Sequence, residues 1–96
     1  MSRNKDNNRE LVELLLKLNI KHAIEDSNFN LKIIDNRIKF YRLLINHLEN
    51  NKPLFFQKKK LIEYNNKLEE YNNKINDLYN QITEEMDLIE KLQKYI

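Results

Sequence analysis

From Leu61 onward, apolar side chains recur at alternating steps of three and four: Leu61, Tyr64, Leu68, Tyr71, Ile75, Leu78, Ile82, Ile89, Leu92 and Ile96. Glu85 is the one member of the series that is not apolar. Asn, Lys, Glu and Gln fill the positions between, as in the near-repeat EYNNKLEEYNNK. This is the spacing of a coiled-coil helix with a single apolar seam, and such a seam has to be buried against another helix.

The first half of the chain carries a matching seam at Ile20, Ile24, Ser27, Leu31, Ile34, Ile38, Tyr41, Ile45 and Leu48. Between the two halves stands ENNKP. Asn50 and Asn51 tolerate left-handed backbone, and Pro53 fits the first turn of a new helix but cannot continue an old one. The pattern therefore predicts a chain reversal there and an all-α fold, a long antiparallel helical hairpin of coiled-coil type. A register in which facing residue numbers sum to 102 pairs Leu48 with Leu54, Ile38 with Tyr64, Ile34 with Leu68 and Ile20 with Ile82. It also sets Ser27 against Ile75 and Lys17 against Glu85, so that the acidic intruder meets a base. The competing arrangement is a parallel homodimer in which residues 54–96 zip onto their own copy.

Apolar residues are in excess off the seam. Leu11, Leu14, Leu15, Leu16 and Leu18, in LVELLLKL, and Phe29, Ile33, Phe40, Leu43 and Leu44 all need a second surface. Two explanations are open. A break at EDSNFN, with Ser27 or Asn28 as a cap, makes a short amino-terminal third helix that folds back on the hairpin. Alternatively the first arm is continuous and the excess docks on a protein partner or on another copy. The expected organisation is a disordered stretch over 1–7 and a single helical domain over 8–96, with helices near 8–25, 29–50 and 54–95, the first two either separate or continuous. Leu11, Leu14, Leu15, Leu18, Phe29, Ile33 and Phe40 are the candidate partner-binding residues.

Composition narrows the function. With no Gly and one Pro, the 96-residue chain has little turn chemistry and no glycine-rich phosphate loop. With no Cys there is no disulfide, thiol nucleophile or thiolate metal site. A net charge of +2 falls short of the strong basic excess of a dedicated nucleic-acid binder. No apolar run reaches the roughly 20 residues of a membrane span, and MSRNKDNNRE lacks the apolar core of a signal peptide, so a soluble intracellular chain is the expectation.

The turn region NHLENNKPLFFQKKK places Phe55 and Phe56 beside Lys52, Lys58, Lys59 and Lys60. These lysines are a candidate basic tip for nucleic acid, with the rings stacking or inserting. The structural alternative folds both rings onto Leu43, Leu44 and His47 to close the turn. Tyr64 and Tyr71 fall on the seam and are expected in the core. His22, with Asp26 four residues on, is expected to form a local ion pair, and two distant His residues make no metal site.

Arg42 and His47, in RLLINH, have a spacing that resembles the short motif of the HEPN ribonucleases, helical proteins in which an Arg and a His near a dimer interface act on RNA. The resemblance covers six residues and departs from the family where Leu43 stands in place of the polar residue that commonly follows the Arg. It implies Arg42 holding a phosphate and His47 exchanging a proton. The leading expectation is a non-enzymatic coiled-coil assembly protein without cofactor or metal. Nucleic-acid contact through the basic tip is the alternative, and a HEPN-like ribonuclease a remoter one.

Overall fold

The computed structural model describes the backbone of residues 2–96 and the side chains of residues 8–96; the disorder expected over 1–7 lies outside these fully described residues. Two helices make up the fold, α1 over Ser2–Asn50 and α2 over Lys58–Gln93. They lie side by side in a rod whose extents are 86 × 15 × 15 Å. The predicted all-α hairpin is the observed architecture.

The short third helix is not seen, because α1 runs without interruption through EDSNFN. That stretch holds neither Pro nor Gly, so nothing in it forbids helix. Ser27 acts as a small seam residue, 3% exposed, rather than as a cap.

The seam is thin. Ile34, Ile38, Tyr64, Ile75 and Leu78 are the buried apolar residues, and Tyr41, Ile45 and Ile82 pack partly buried against the cluster of Ile34, Ile38, Ile75 and Leu78. At roughly 25 cal/mol per Å² of apolar surface removed from water, these layers supply most of the stabilisation that holds the arms together.

The register differs from the predicted one. The rings of Tyr41 and Tyr71 meet with centroids 5.9 Å apart, and Asn30 Nδ2 donates a 3.4 Å hydrogen bond to Glu85 Oε1. Facing positions thus sum to 112 or 113, as in Tyr41 with Tyr71, Ile38 with Ile75 and Ile34 with Leu78. The pairings built on 102 do not occur. The cause is the link between the helices: α2 starts at Lys58, not at residue 54, and residues 51–57 form the connection. The observed register also sets Ser27 level with Glu85, so the two polar members of the two seams share one layer. The register of 102 would have spoiled two layers.

The turn is built differently from expectation as well. No described residue has positive φ, so neither Asn50 nor Asn51 adopts left-handed backbone. Instead the Asn51 side-chain amide donates to the His47 carbonyl at 2.8 Å, and the Asn51 N–H donates to the Leu48 carbonyl at 3.1 Å, closing the carboxy end of α1. A tight turn follows at residues 54–57, where Gln57 N donates to the Leu54 carbonyl at 2.9 Å and Leu54 N donates to Gln57 Oε1 at 3.0 Å.

Because α1 has 49 residues and α2 has 36, the arms are unequal. The seam of α1 ends at Ile20, level with Leu92. The next seam positions toward the amino terminus, Lys17, Glu13 and Glu10, are charged. Residues 8–19 extend past the end of α2 as a single helix, exposed throughout.

Candidate functional site

An α-helix turns about 100° per residue, which divides the surface of α1 into two opposed meridians. One carries the seam. On the other, Leu11, Leu15, Leu18, Phe29, Ile33, Phe40 and Leu43 fall within about 100° of one another at gaps of 4, 3, 11, 4, 7 and 3, with Leu14 beside them. All of these are exposed except Ile33, which is half-buried. The seven residues expected to bind a partner therefore lie on one outer face of one helix, with Phe40 bordering a groove that it shares with Lys74, Asp77 and Gln81 of α2. His22, Glu25, Asn36 and His47 interrupt it as polar positions. His22 Nδ1 lies 3.6 Å from Glu25 Oε2, so its local partner is Glu25 and not Asp26.

Exposure is large for the molecule as a whole. Its accessible surface is 8310 Å², about 2,400 Å² more than the roughly 5,900 Å² expected of a compact monomer of this mass. A rod only two helices wide accounts for part of this, and the unpaired amino end of α1 adds to it. Leu11, Val12, Leu14, Leu15, Leu16 and Leu18 are all about half exposed or more, which is rare for six apolar residues within eight.

Near the free end of α2, the helices flank an open groove of about 630 Å³ whose lining includes Asn28, Leu31, Met86, Asp87, Ile89 and Glu90. Asp87 and Glu90 are the ionisable groups of its lining. Among the described residues no group of three or more His, Cys, Asp or Glu side chains converges as a metal site would require. Nor is any described helix long and apolar enough to cross a membrane.

Arg42 and His47 are not brought together. Five residues apart on one helix, they point about 140° from each other. The Arg42 guanidinium donates to the Tyr79 hydroxyl, with its carbon 5.9 Å from the centre of that ring. Arg42 thus clasps α2 at the edge of the seam, a tertiary role that the six-residue spacing did not reveal.

The rings at the tip do not fold back. Phe55 is 87% exposed, Phe56 and Leu54 are exposed, and Leu43 remains exposed on α1. Phe55 and Phe56 pack edge to face against each other, with centroids 5.5 Å apart at 85°. Lys52, Lys58, Lys59 and Lys60 are exposed around them.

These features define an all-α antiparallel hairpin with an apolar outer stripe, an unpaired helical arm and an apolar-cationic tip. No protein-family model, no curated protein and no solved structure matches the chain.

Proposed function

We propose that this chain is a non-enzymatic helical-hairpin assembly protein, a subunit or adaptor whose outer stripe on α1 packs against another helical surface. The observation that carries the reading is the second seam. Leu11, Leu14, Leu15, Leu18, Phe29, Ile33 and Phe40 share the outer face of α1, and all but Ile33 are exposed. A second copy of the chain or a helical partner would bury that stripe by ordinary interdigitation of side chains. The mechanism needs no reaction and no cofactor.

The test is the solution mass by light scattering after size exclusion, with the candidate helical partner added if the chain alone stays at 11.8 kDa. Leu15→Asp should abolish assembly and leave helicity near that of the parent, because Leu15 touches nothing inside the hairpin. Assembly that survives Leu15→Asp and Phe29→Asp together would end the reading.

A further inference from the structure

We propose that the hairpin tip docks end-on into an anionic lipid surface, with Leu54, Phe55 and Phe56 inserted at the interface and Lys52, Lys58, Lys59 and Lys60 against the lipid phosphates. The tip differs from every other apolar patch on the molecule. Its three consecutive apolar side chains close the end of a rod 15 Å across, where no second helix of the fold reaches. A contact there has to be made by something broad enough to meet a rod at its end.

Part of the tip backbone is tied internally. Leu54 N–H is held by Gln57 Oε1, the Leu54 carbonyl accepts from Gln57 N, and the Gln57 carbonyl accepts from Leu61 N. Pro53 has no N–H to satisfy. The N–H and carbonyl groups of Phe55 and Phe56 have no such partner, so the apex meets the interface, where headgroups and water can bond them, and not the acyl interior.

The charge is arranged to match. Lys58, Lys59 and Lys60 are consecutive on the first turn of α2, so they fan through about 200° around the helix, with Lys52 in the incoming connection. They form a collar just behind the apolar apex. No acidic residue stands in that first turn. Three cations at a helix amino terminus oppose the macrodipole and do nothing for the helix itself. An anionic plane met by the rod's end would touch the whole collar at once, whereas a nucleic-acid strand follows a track along one side. The rings favour lipid too: set edge to face, Phe55 and Phe56 offer no pair of parallel faces for successive bases, and Leu54 has no π-face to stack.

The test uses the full chain. It contains no Trp, so Phe55→Trp supplies a single reporter at the apex. With mixed phosphatidylserine and phosphatidylcholine vesicles its emission should shift to the blue and be quenched by brominated lipid. Phosphatidylcholine alone should produce neither effect. Replacing each lysine of the collar by Gln should lower partitioning about fivefold. Phe55→Ser with Phe56→Ser, in the otherwise native chain, should abolish co-sedimentation with the anionic vesicles while circular dichroism stays unchanged. Unshifted emission with the anionic vesicles, or co-sedimentation that survives loss of both rings, would overturn the proposal. So would a single-stranded oligonucleotide that outcompetes the vesicles and needs the lysines but not the rings, which would assign the tip to nucleic acid.

Discussion

Glu85 faces Ser27 across the hairpin seam and receives a hydrogen bond from Asn30, yet its Oε2 is shut away from solvent without any partner. A polar oxygen buried without a hydrogen bond costs on the order of 1 to 3 kcal/mol. Glu85→Leu should therefore stabilise the hairpin by about 1 to 2 kcal/mol, since it removes that oxygen and continues the apolar run from Ile82 to Ile89. For a chain of this size that is a rise in Tm of about 4 to 16 °C. Thermal unfolding followed by circular dichroism would read it, and an unchanged or lower Tm would mean that Glu85 is better satisfied than its surroundings indicate.

The register can be fixed chemically because the chain has no Cys of its own. Ile38→Cys with Ile75→Cys should close a disulfide under mild oxidation, both residues belonging to the same buried cluster. Ile38→Cys with Tyr64→Cys, partners in the register that sums to 102, should stay reduced within the monomer. Electrophoresis without reductant separates the two outcomes.

How this register escaped sequence reasoning has a physical cause. Steps of three and four make the seam of α2 nearly self-similar, so sliding it ten residues along α1 again sets apolar against apolar. The two seams and the apolar excess of α1 are legible from periodicity, while the antiparallel pairing rests on the reversal signalled by ENNKP, since periodicity alone fits a parallel homodimer equally. Register depends on the length of the connection, and Pro53 read as the start of a helix concealed a link that continues to Gln57. The polar defects held usable information. Matching Glu85 with Lys17 by charge was less apt than matching it with Ser27 by size, which spoils one layer instead of two. The clasp of Arg42 on Tyr79 left no trace in the pattern, because neither residue lies on a seam.

Buried and outward residues of α1 should behave oppositely. Ile38, 3% exposed, sits at the centre of the cluster. Ile38→Ala should cost about 2 to 4 kcal/mol, a large part of the total stability of so small a core. Phe40→Ala, on the outer stripe, should change the stability of the isolated hairpin by no more than about 0.5 kcal/mol. Urea unfolding at low protein concentration checks both. A large loss at Phe40 under those conditions would place the outer stripe inside a structure the hairpin forms by itself.

The Arg42 contact invites a comparison of its own. Arg42→Ala and Tyr79→Ala should each destabilise the hairpin by about 1 kcal/mol. The double variant should lose clearly less than the sum, because both remove the same clasp. Strict additivity in the cycle would show that the two residues act apart.

The unequal arms make the molecule directional. Its two unpaired features, the leucine-rich arm and the Leu54 to Phe56 apex, stand at opposite poles of an object 86 Å long whose helices contain no glycine at which to bend. Anything gripped at one pole is held at a set stand-off from anything gripped at the other, like two loads on a strut. Adding or deleting whole heptads in both arms would change that reach in steps of about 10 Å while leaving the faces of the seam in phase.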